Sequence, residues 1–241
     1  MKKLISFTFV LLAALCFGQM PKPVWELNLN EGDFDAIAPT GSRQFKVKVI
    51  AREKLEWGPG RLRGKALYFK NDVNGKEKPV ASIEIPAAVH FDFTKPFTAM
   101  CWFMPDTGLK GNMQYTVFGN TPSDYGPGFR LIYGYGALRA MMGQGTAKTG
   151  GGFAVPPSKV KVAKGTWNHV AISNDGNLLR IYCNGIEAAS SDKRIYPVKP
   201  RPFSIGSYNH YAYGFNGAIC EFKMFDVALT PEQILTIAKE Q

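Results

Sequence analysis

Apolar residues along this chain come in short runs broken by Gly, Pro, Asn and Asp. VWELNL, FKVKVI, KALYF, ASIEI, FTAMCWF, YTVFG, FRLIYGY, LRAMMG, NHVAIS, LLRIYC, PFSIG and AICEFKMF each have the length of a strand, and all but LRAMMG carry β-branched or aromatic residues. Within LLRIYC, Leu179, Ile181 and Cys183 fall on one face and Arg180 and Tyr182 on the other, the alternation of a half-buried strand. Asp175-Gly176 and Asn184-Gly185 accept the positive φ values of tight hairpins, so they predict a three-stranded meander from Trp167 to Ser190. Helical patterning is confined to the tail. There Thr230 can cap, Pro231 suits a first turn, Gln233 completes a capping box, and Ile234, Leu235 and Ile237 form a docking face. The Gly-rich segment TGGGFAVPPSKVKVAKG reads as an irregular surface loop. No repeat, heptad or linker interrupts the pattern. It predicts one all-β domain, an antiparallel β-sandwich with a short C-terminal helix.

The first residues follow a different logic. Lys2 and Lys3 precede an apolar run from Leu4 to Phe17, too short to span a bilayer comfortably. Cys16 and Gly18 place small residues three and one before a cut ahead of Gln19. Residues 1–18 therefore read as a signal peptide and 19–241 as the domain, secreted or periplasmic. An uncleaved anchor is the alternative; lipidation at Cys16 is disfavoured by the bulky Leu15.

The chain has 29 Lys and Arg against 19 Asp and Glu, a net charge of +10. Part of the excess is local, with Lys193, Arg194, Lys199 and Arg201 crowded into KRIYPVKPRP. A basic exported protein can meet anionic glycans, anionic cell surfaces or nucleic acid, although a solubilising surface explains the same charge. Beyond Cys16 there remain Cys101, Cys183 and Cys220, an odd number, all in strand-like runs. Buried free thiols are one expectation; if one bridge forms, Cys101–Cys220 is the favoured pair. No CxxC or Cys/His spacing suggests zinc.

The order and spacing of these runs resemble the laminin-G-like jelly-roll domains of the concanavalin A-like lectin and glucanase superfamily. VWELNL is similar to its opening strand, and GKALYF (Gly64 to Phe69) to its glycine-lysine-alanine-leucine segment. SIEIP with FTKPFTAMCWFMP, GTWNHVAIS with LLRIYCNGIE, and PFSIG with FNGAICEFKMFDVALTPEQI follow in the family's order. The resemblance covers nearly the whole of 19–241. It implies a concanavalin A-like jelly roll and a habit of binding glycans or proteins, but no single chemistry. One departure stands at Cys220, where the family often has an aspartate; any calcium or charge role tied to that aspartate is not carried over.

Catalytic patterns are weak. The glucanase strand glutamate-x-aspartate-x-x-glutamate has its nearest counterpart in Glu31, Asp33 and Asp35, which fall in a loop with Gly32 and lack the third glutamate. Glu84 and Glu221 are isolated strand acids. No GxSxG elbow and no tyrosine-lysine-glycine lyase signature occur. His169 sits in the hairpin motif, where a structural role is expected, and His90 has no visible partner. No catalytic residue is expected. No cofactor is certain; calcium is possible from Asp72-Val73-Asn74-Gly75, or from Asn120 with Asp124, although both sequences are equally good turns.

The most site-like feature is aromatic. SDYGPGFRLIYGYGALR holds Tyr125, Arg130, Tyr133, Tyr135 and Arg139, and SYNHYAYGFNG holds Tyr208, Asn209, His210, Tyr211 and Tyr213. Tyrosine pairs an apolar ring, on which a sugar's C–H face can lie, with a polar tip. The expected ligand-binding set is Tyr125, Arg130, Tyr133, Tyr135, Arg139, Tyr208, His210 and Tyr211. Tyr133, Tyr135, Tyr208 and Tyr211 would stack, while Arg130, Arg139 and His210 would bond hydroxyls or pair with acids. The expectation is a non-catalytic, lectin-like carbohydrate-binding module for a polysaccharide or glycoconjugate, an anionic one included. No nucleic acid partner is expected. A structural or adhesive protein binding surface proteins is the alternative, and a polysaccharide-cleaving enzyme the third.

Overall fold

A computed structural model describes residues 19–74, 78–144, 151–154, 159–208 and 213–240. The predicted signal peptide lies outside them. Two antiparallel sheets face each other. The eight-stranded sheet runs β13 (Ile186–Ser191), β12 (Leu179–Cys183), β11 (Asn168–Asn174), β6 (Phe97–Pro105), β15 (Asn216–Phe225), β4 (Lys65–Lys70) and β3 (Leu55–Pro59), with β1 (Trp25–Leu27) also paired to β15. The seven-stranded sheet runs β10 (Gly151–Ala154), β9 (Ala137–Met142), β8 (Phe129–Gly134), β7 (Gln114–Gly119), β14 (Phe203–Ile205), β5 (Ser82–Ile85) and β2 (Lys48–Ile50).

The space between the sheets is filled largely by aromatic rings. Phe203 stacks on Phe93 at 5.6 Å and on Phe118 at 6.1 Å, and Trp25 meets Phe203 edge-on at 5.7 Å. Phe97, Phe129 and Phe222 complete the layer, all fully buried. Offset and edge-to-face contacts of this kind add to the burial of the rings themselves.

The predicted meander forms. β11 pairs with β12 and β12 with β13. Asn184 (φ 50°) and Gly185 (φ 81°) make the second turn, and a Cβ at Gly185 would stand 2.6 Å from Leu235 of the helix above it. That helix, α1 (Pro231–Lys239), has the expected capping box: Gln233 N–H donates to Thr230 Oγ1 at 3.3 Å and Thr230 N–H to Gln233 Oε1 at 2.9 Å. Ile234 and Ile237 dock on Met100, Ala171, Tyr182 and Phe225, on the outer face of the eight-stranded sheet.

Two strands escape the sequence pattern. β3 is not among the expected runs; its Pro59 is tolerated because β3 is an edge. β10 falls inside the Gly-rich segment expected to be a loop. It pairs with β9 at a place where a Cβ on Gly152 would lie 2.0 Å from Ala140 O, so the glycine permits the pairing. Residues 149–150 and 155–158 of that segment lie outside the described residues.

Cys101, Cys183 and Cys220 are free and buried. Cys220 pairs in register with Trp102, so pleating sends Cys101 into the inter-sheet core and Cys220 to the outer face, which rules out the Cys101–Cys220 bridge. Burial pushes the Cys183 thiol up to about 11 and Cys220 to about 12, which keeps both protonated.

His169 is a structural residue, as its motif suggests. It lies opposite Trp102 in β6, rings 5.3 Å apart, with neither ring nitrogen hydrogen-bonded. Burial, aided by Lys223 and Arg61, holds its pKa down to about 3. The unfolded chain takes up that proton near pH 6.5, the folded chain only near 3. Stability from this group is complete above pH 6.5 and is lost as pH falls between those values. Urea unfolding is expected to weaken across this window with a slope approaching about 1.4 kcal/mol per pH unit, and His169→Leu to flatten it. Thr230→Ala is expected to lower unfolding free energy by about 1 kcal/mol, and Phe203→Ala by about 3–5 kcal/mol, both read in the same titrations at pH 7.

Candidate functional site

Alternation along β8 decides which of the predicted residues can reach a ligand. Phe129, Leu131 and Tyr133 point into the core, so Arg130 and Ile132 point to the outer face of the seven-stranded sheet. On β9, Arg139 lies opposite Ile132 on that same face. Gly119 of β7 lies beside Arg130 and leaves room for it: a Cβ there would stand 2.5 Å from Arg130 Cβ.

Arg130 is the centre of the site and is 0% exposed. Its Nη2 donates to Asp124 Oδ1 at 2.8 Å and to Gln114 Oε1 at 3.3 Å. Its guanidinium lies 4.4 Å from the Tyr208 ring and 5.1 Å from Tyr213. Those two rings stack with centroids 5.9 Å apart. Tyr208 donates its hydroxyl proton to Asp124 Oδ1 at 3.3 Å and Tyr213 to Asp124 Oδ2 at 3.2 Å. One carboxylate thus ties together two rings and a guanidinium from segments more than eighty residues apart. Burial raises both phenols, Tyr208 to about 12, so each keeps its donating proton. Arg130 Nε and Nη1 are buried with no hydrogen-bond partner. Two more donors are similarly unanswered on this side, Nε of Arg139 and of Arg201.

The rim is aromatic and open. Tyr135 and Gly136 form the β8–β9 turn at φ 52° and 73°, which holds the Tyr135 ring out at 51% exposure. The Arg139 guanidinium lies 5.1 Å from that ring. Tyr125, next to Asp124, is also exposed.

The expected set is therefore brought together in part. Arg130, Arg139, Tyr135 and Tyr208 converge, with Tyr125 in the Asp124 loop. Tyr133 is a correction: its ring packs in the core 6.4 Å from Phe103 and is not open to a ligand. Tyr208 is 7% exposed and supports Arg130 instead of offering a free face for stacking. His210 and Tyr211 lie outside the described residues. Gln114 and the anchoring role of Asp124 escaped the sequence; no spacing rule links a loop acid to an arginine six residues on.

Of the three loop acids, Asp33 and Asp35 are exposed, whereas Glu31 is half-buried, with Oε2 shielded from water and without a hydrogen-bond partner among the described residues. Asp33 accepts the Asp35 N–H, and Asp35 pairs with Arg52 at 3.6 Å. Glu221 pairs with Arg61 at 3.5 Å on the eight-stranded sheet, while Glu84 is buried on the seven-stranded one. The calcium candidates do not fit the ion well. Asp72 Oδ1 accepts from the Asn74 backbone and side chain, Asn120 Oδ1 accepts the Phe129 N–H, and Asp124 is held by Arg130. Among the described residues no three His, Cys, Asp or Glu side chains gather as a metal site.

Part of the basic run lies elsewhere. Lys193 and Arg194 line a groove of about 800 Å³ at one end of the sandwich, with His90, Asp92, Asn177 and Tyr196.

Solved structures show the same architecture. The binding domain of Paraclostridial Mosquitocidal Protein 1 superposes with a TM-score of 0.65 at 14% identity, over 90% of this chain and 52% of that one. The botulinum neurotoxin serotype D ligand-binding domain in complex with N-acetylneuraminic acid gives 0.64 at 14% identity, over 91% and 51%. Domain 4 of an extracellular arabinanase from Geobacillus stearothermophilus, in complex with arabinotriose, gives 0.63 at 18% identity, over 90% and 98%. The chain thus spans about half the length of the two toxin domains and nearly all of the arabinanase domain. The two toxin domains are described as binding domains, and identities this low show the fold alone. No curated protein sequence matches this chain significantly. The family model described as "Concanavalin A-like lectin/glucanases superfamily" matches residues 78–235, and this chain belongs to that family.

Proposed function

We propose that this protein is an exported, non-catalytic recognition module that binds polysaccharide on the outer face of its seven-stranded sheet. The observation that carries this reading is the convergence of Tyr135, Arg139, Arg130, Asp124, Tyr208 and Tyr213 on one face. Tyr135 and Tyr125 supply exposed rings for sugar C–H faces, and the half-buried Arg139 beside Tyr135 supplies a cationic donor for hydroxyls or carboxylates, with the fully buried Arg130 fixed behind them. Tyr208, Tyr213 and Asp124 hold Arg130 in place, so its geometry is set before a ligand arrives. His210 and Tyr211 belong to the segment between those tyrosines and remain part of the proposed set. Lys2 and Lys3 belong to the leader, so the net charge of +10 falls to about +8 in residues 19–241, which favours an acidic polymer. Export rests on the leader pattern of residues 1–18; among the described residues no helix is long and apolar enough to cross a membrane.

A second reading has its own observation. On the outer face of the eight-stranded sheet, Tyr68, Trp102, Met104 and Trp167 are half-buried around Ala66, Ala218 and Cys220. Such a patch suits contact with another protein, as an adhesive role would need. Pull-down from envelope extracts that succeeds in excess free sugar would favour it.

A glycan array at low salt is expected to return a polysaccharide ligand, and binding to weaken as salt rises. Tyr135→Ala and Arg139→Gln are each expected to weaken that binding by about 1–2 kcal/mol in calorimetry. No ligand on the array, or variants that bind unchanged, would count against the site. Asp124→Ala leaves the buried Arg130 charge without its ion partner and is expected to cost about 2–4 kcal/mol of folding stability in urea.

A further inference from the structure

The loop-end groove is not part of the tyrosine face, and its lining has a different character. Three connections build it: the one between β5 and β6, the β11–β12 turn, and the one between β13 and β14. Its walls are tied to each other. Asn174, itself buried, donates from Nδ2 to Phe93 O at 3.4 Å and Lys95 O at 3.3 Å, and accepts the Gly176 N–H at 3.0 Å. Tyr196 accepts the Gly128 N–H through its carbonyl at 2.9 Å, which joins this wall to the start of β8. The groove is therefore a built feature of the fold.

Its charge is unbalanced. Lys193 and Arg194 are exposed, and among the described residues neither lies within ion-pair distance of a carboxylate. His90, from the β5–β6 connection, also lines it. Asp92 is the one acid in the lining, and both the N–H and the hydroxyl of Thr94 donate to its Oδ1, at 3.0 Å and 2.6 Å. Thr94 thereby holds the Asp92 carboxyl below its usual range and partly neutralises its field. Asn177 and Tyr196 also line the groove. Unpaired cations beside an amide and a ring match a chain that carries both acidic groups and hydroxyls. A groove of about 800 Å³ is wide enough for a few sugar rings and too small for a folded partner.

We infer that this groove is a second ligand site, and that it takes a segment of acidic polysaccharide whose sulfate or carboxylate groups pair with Lys193 and Arg194. The inference does not depend on the tyrosine face.

Isothermal titration with dextran sulfate, polygalacturonate and neutral dextran tests it. Binding to at least one acidic polymer and none to neutral dextran is expected. The double variant Lys193→Gln/Arg194→Gln is expected to bind that polymer about three- to tenfold more weakly, with the slope of log affinity against log salt reduced by about one to two. Lys193→Arg/Arg194→Lys keeps the charge and is expected to retain binding. Sulfate and carboxylate as the recognised group are told apart by which polymer responds. Tyr135→Ala/Arg139→Gln is expected to leave this binding in place; its loss there, with the Gln double variant unchanged, would assign the acidic polymer to the tyrosine face and overturn the second site. Equal binding of poly-glutamate or single-stranded DNA, lost in the same Gln variant, would overturn the saccharide assignment.

Discussion

One aromatic layer, shared by both sheets, constrains everything else in this molecule. Phe93, Phe97, Phe118, Phe129, Phe203 and Phe222 interlock between the sheets, and each strand that supplies a ring must turn its alternate residues away from that layer. Function is left with three places: the outer face of each sheet, and the loop ends. The C-terminal helix takes part of one outer face, docking on Met100, Tyr182 and Phe225. The seven-stranded sheet keeps its outer face for polar groups, and there Arg130 sits.

Burying a guanidinium is costly unless its charge is answered. Asp124, Gln114 and two tyrosine rings answer most of it, and the arrangement in turn fixes the loops that carry them. The rings that sequence reasoning would offer to a sugar are partly consumed in this way. Tyr208 and Tyr213 serve Arg130, and the exposed aromatic surface falls to Tyr135 and Tyr125. The site is thus a rigid interior with an open rim. The loop-end groove is the converse, with a scaffold of backbone ties and a lining of free cations.

Much of the fold was legible in local pattern. The strand runs, the Asn184-Gly185 turn and the Thr230 capping box depend on nearest neighbours, and each formed where its residues predicted. Where a neighbour in space overrode the local signal, the sequence misled. β10 is a strand because Ala140 of β9 approaches a glycine, not because the segment has strand-forming residues. Tyr133 looked like Tyr135 on paper; two positions apart they share a parity, and only the turn at Tyr135, with φ at 52°, sends one ring into the core and the other to water.

The residues by themselves determined an all-β chain with its turns, its helix, its basic excess and its store of tyrosines, because those properties need no long-range contact. Tertiary structure alone decided that Asp124 would meet Arg130, Tyr208 and Tyr213, and that Lys193 and Arg194 would face a groove with His90. Strand order in the two sheets sets those meetings, and strand order follows from how the whole set of apolar faces packs at once, which no single stretch encodes.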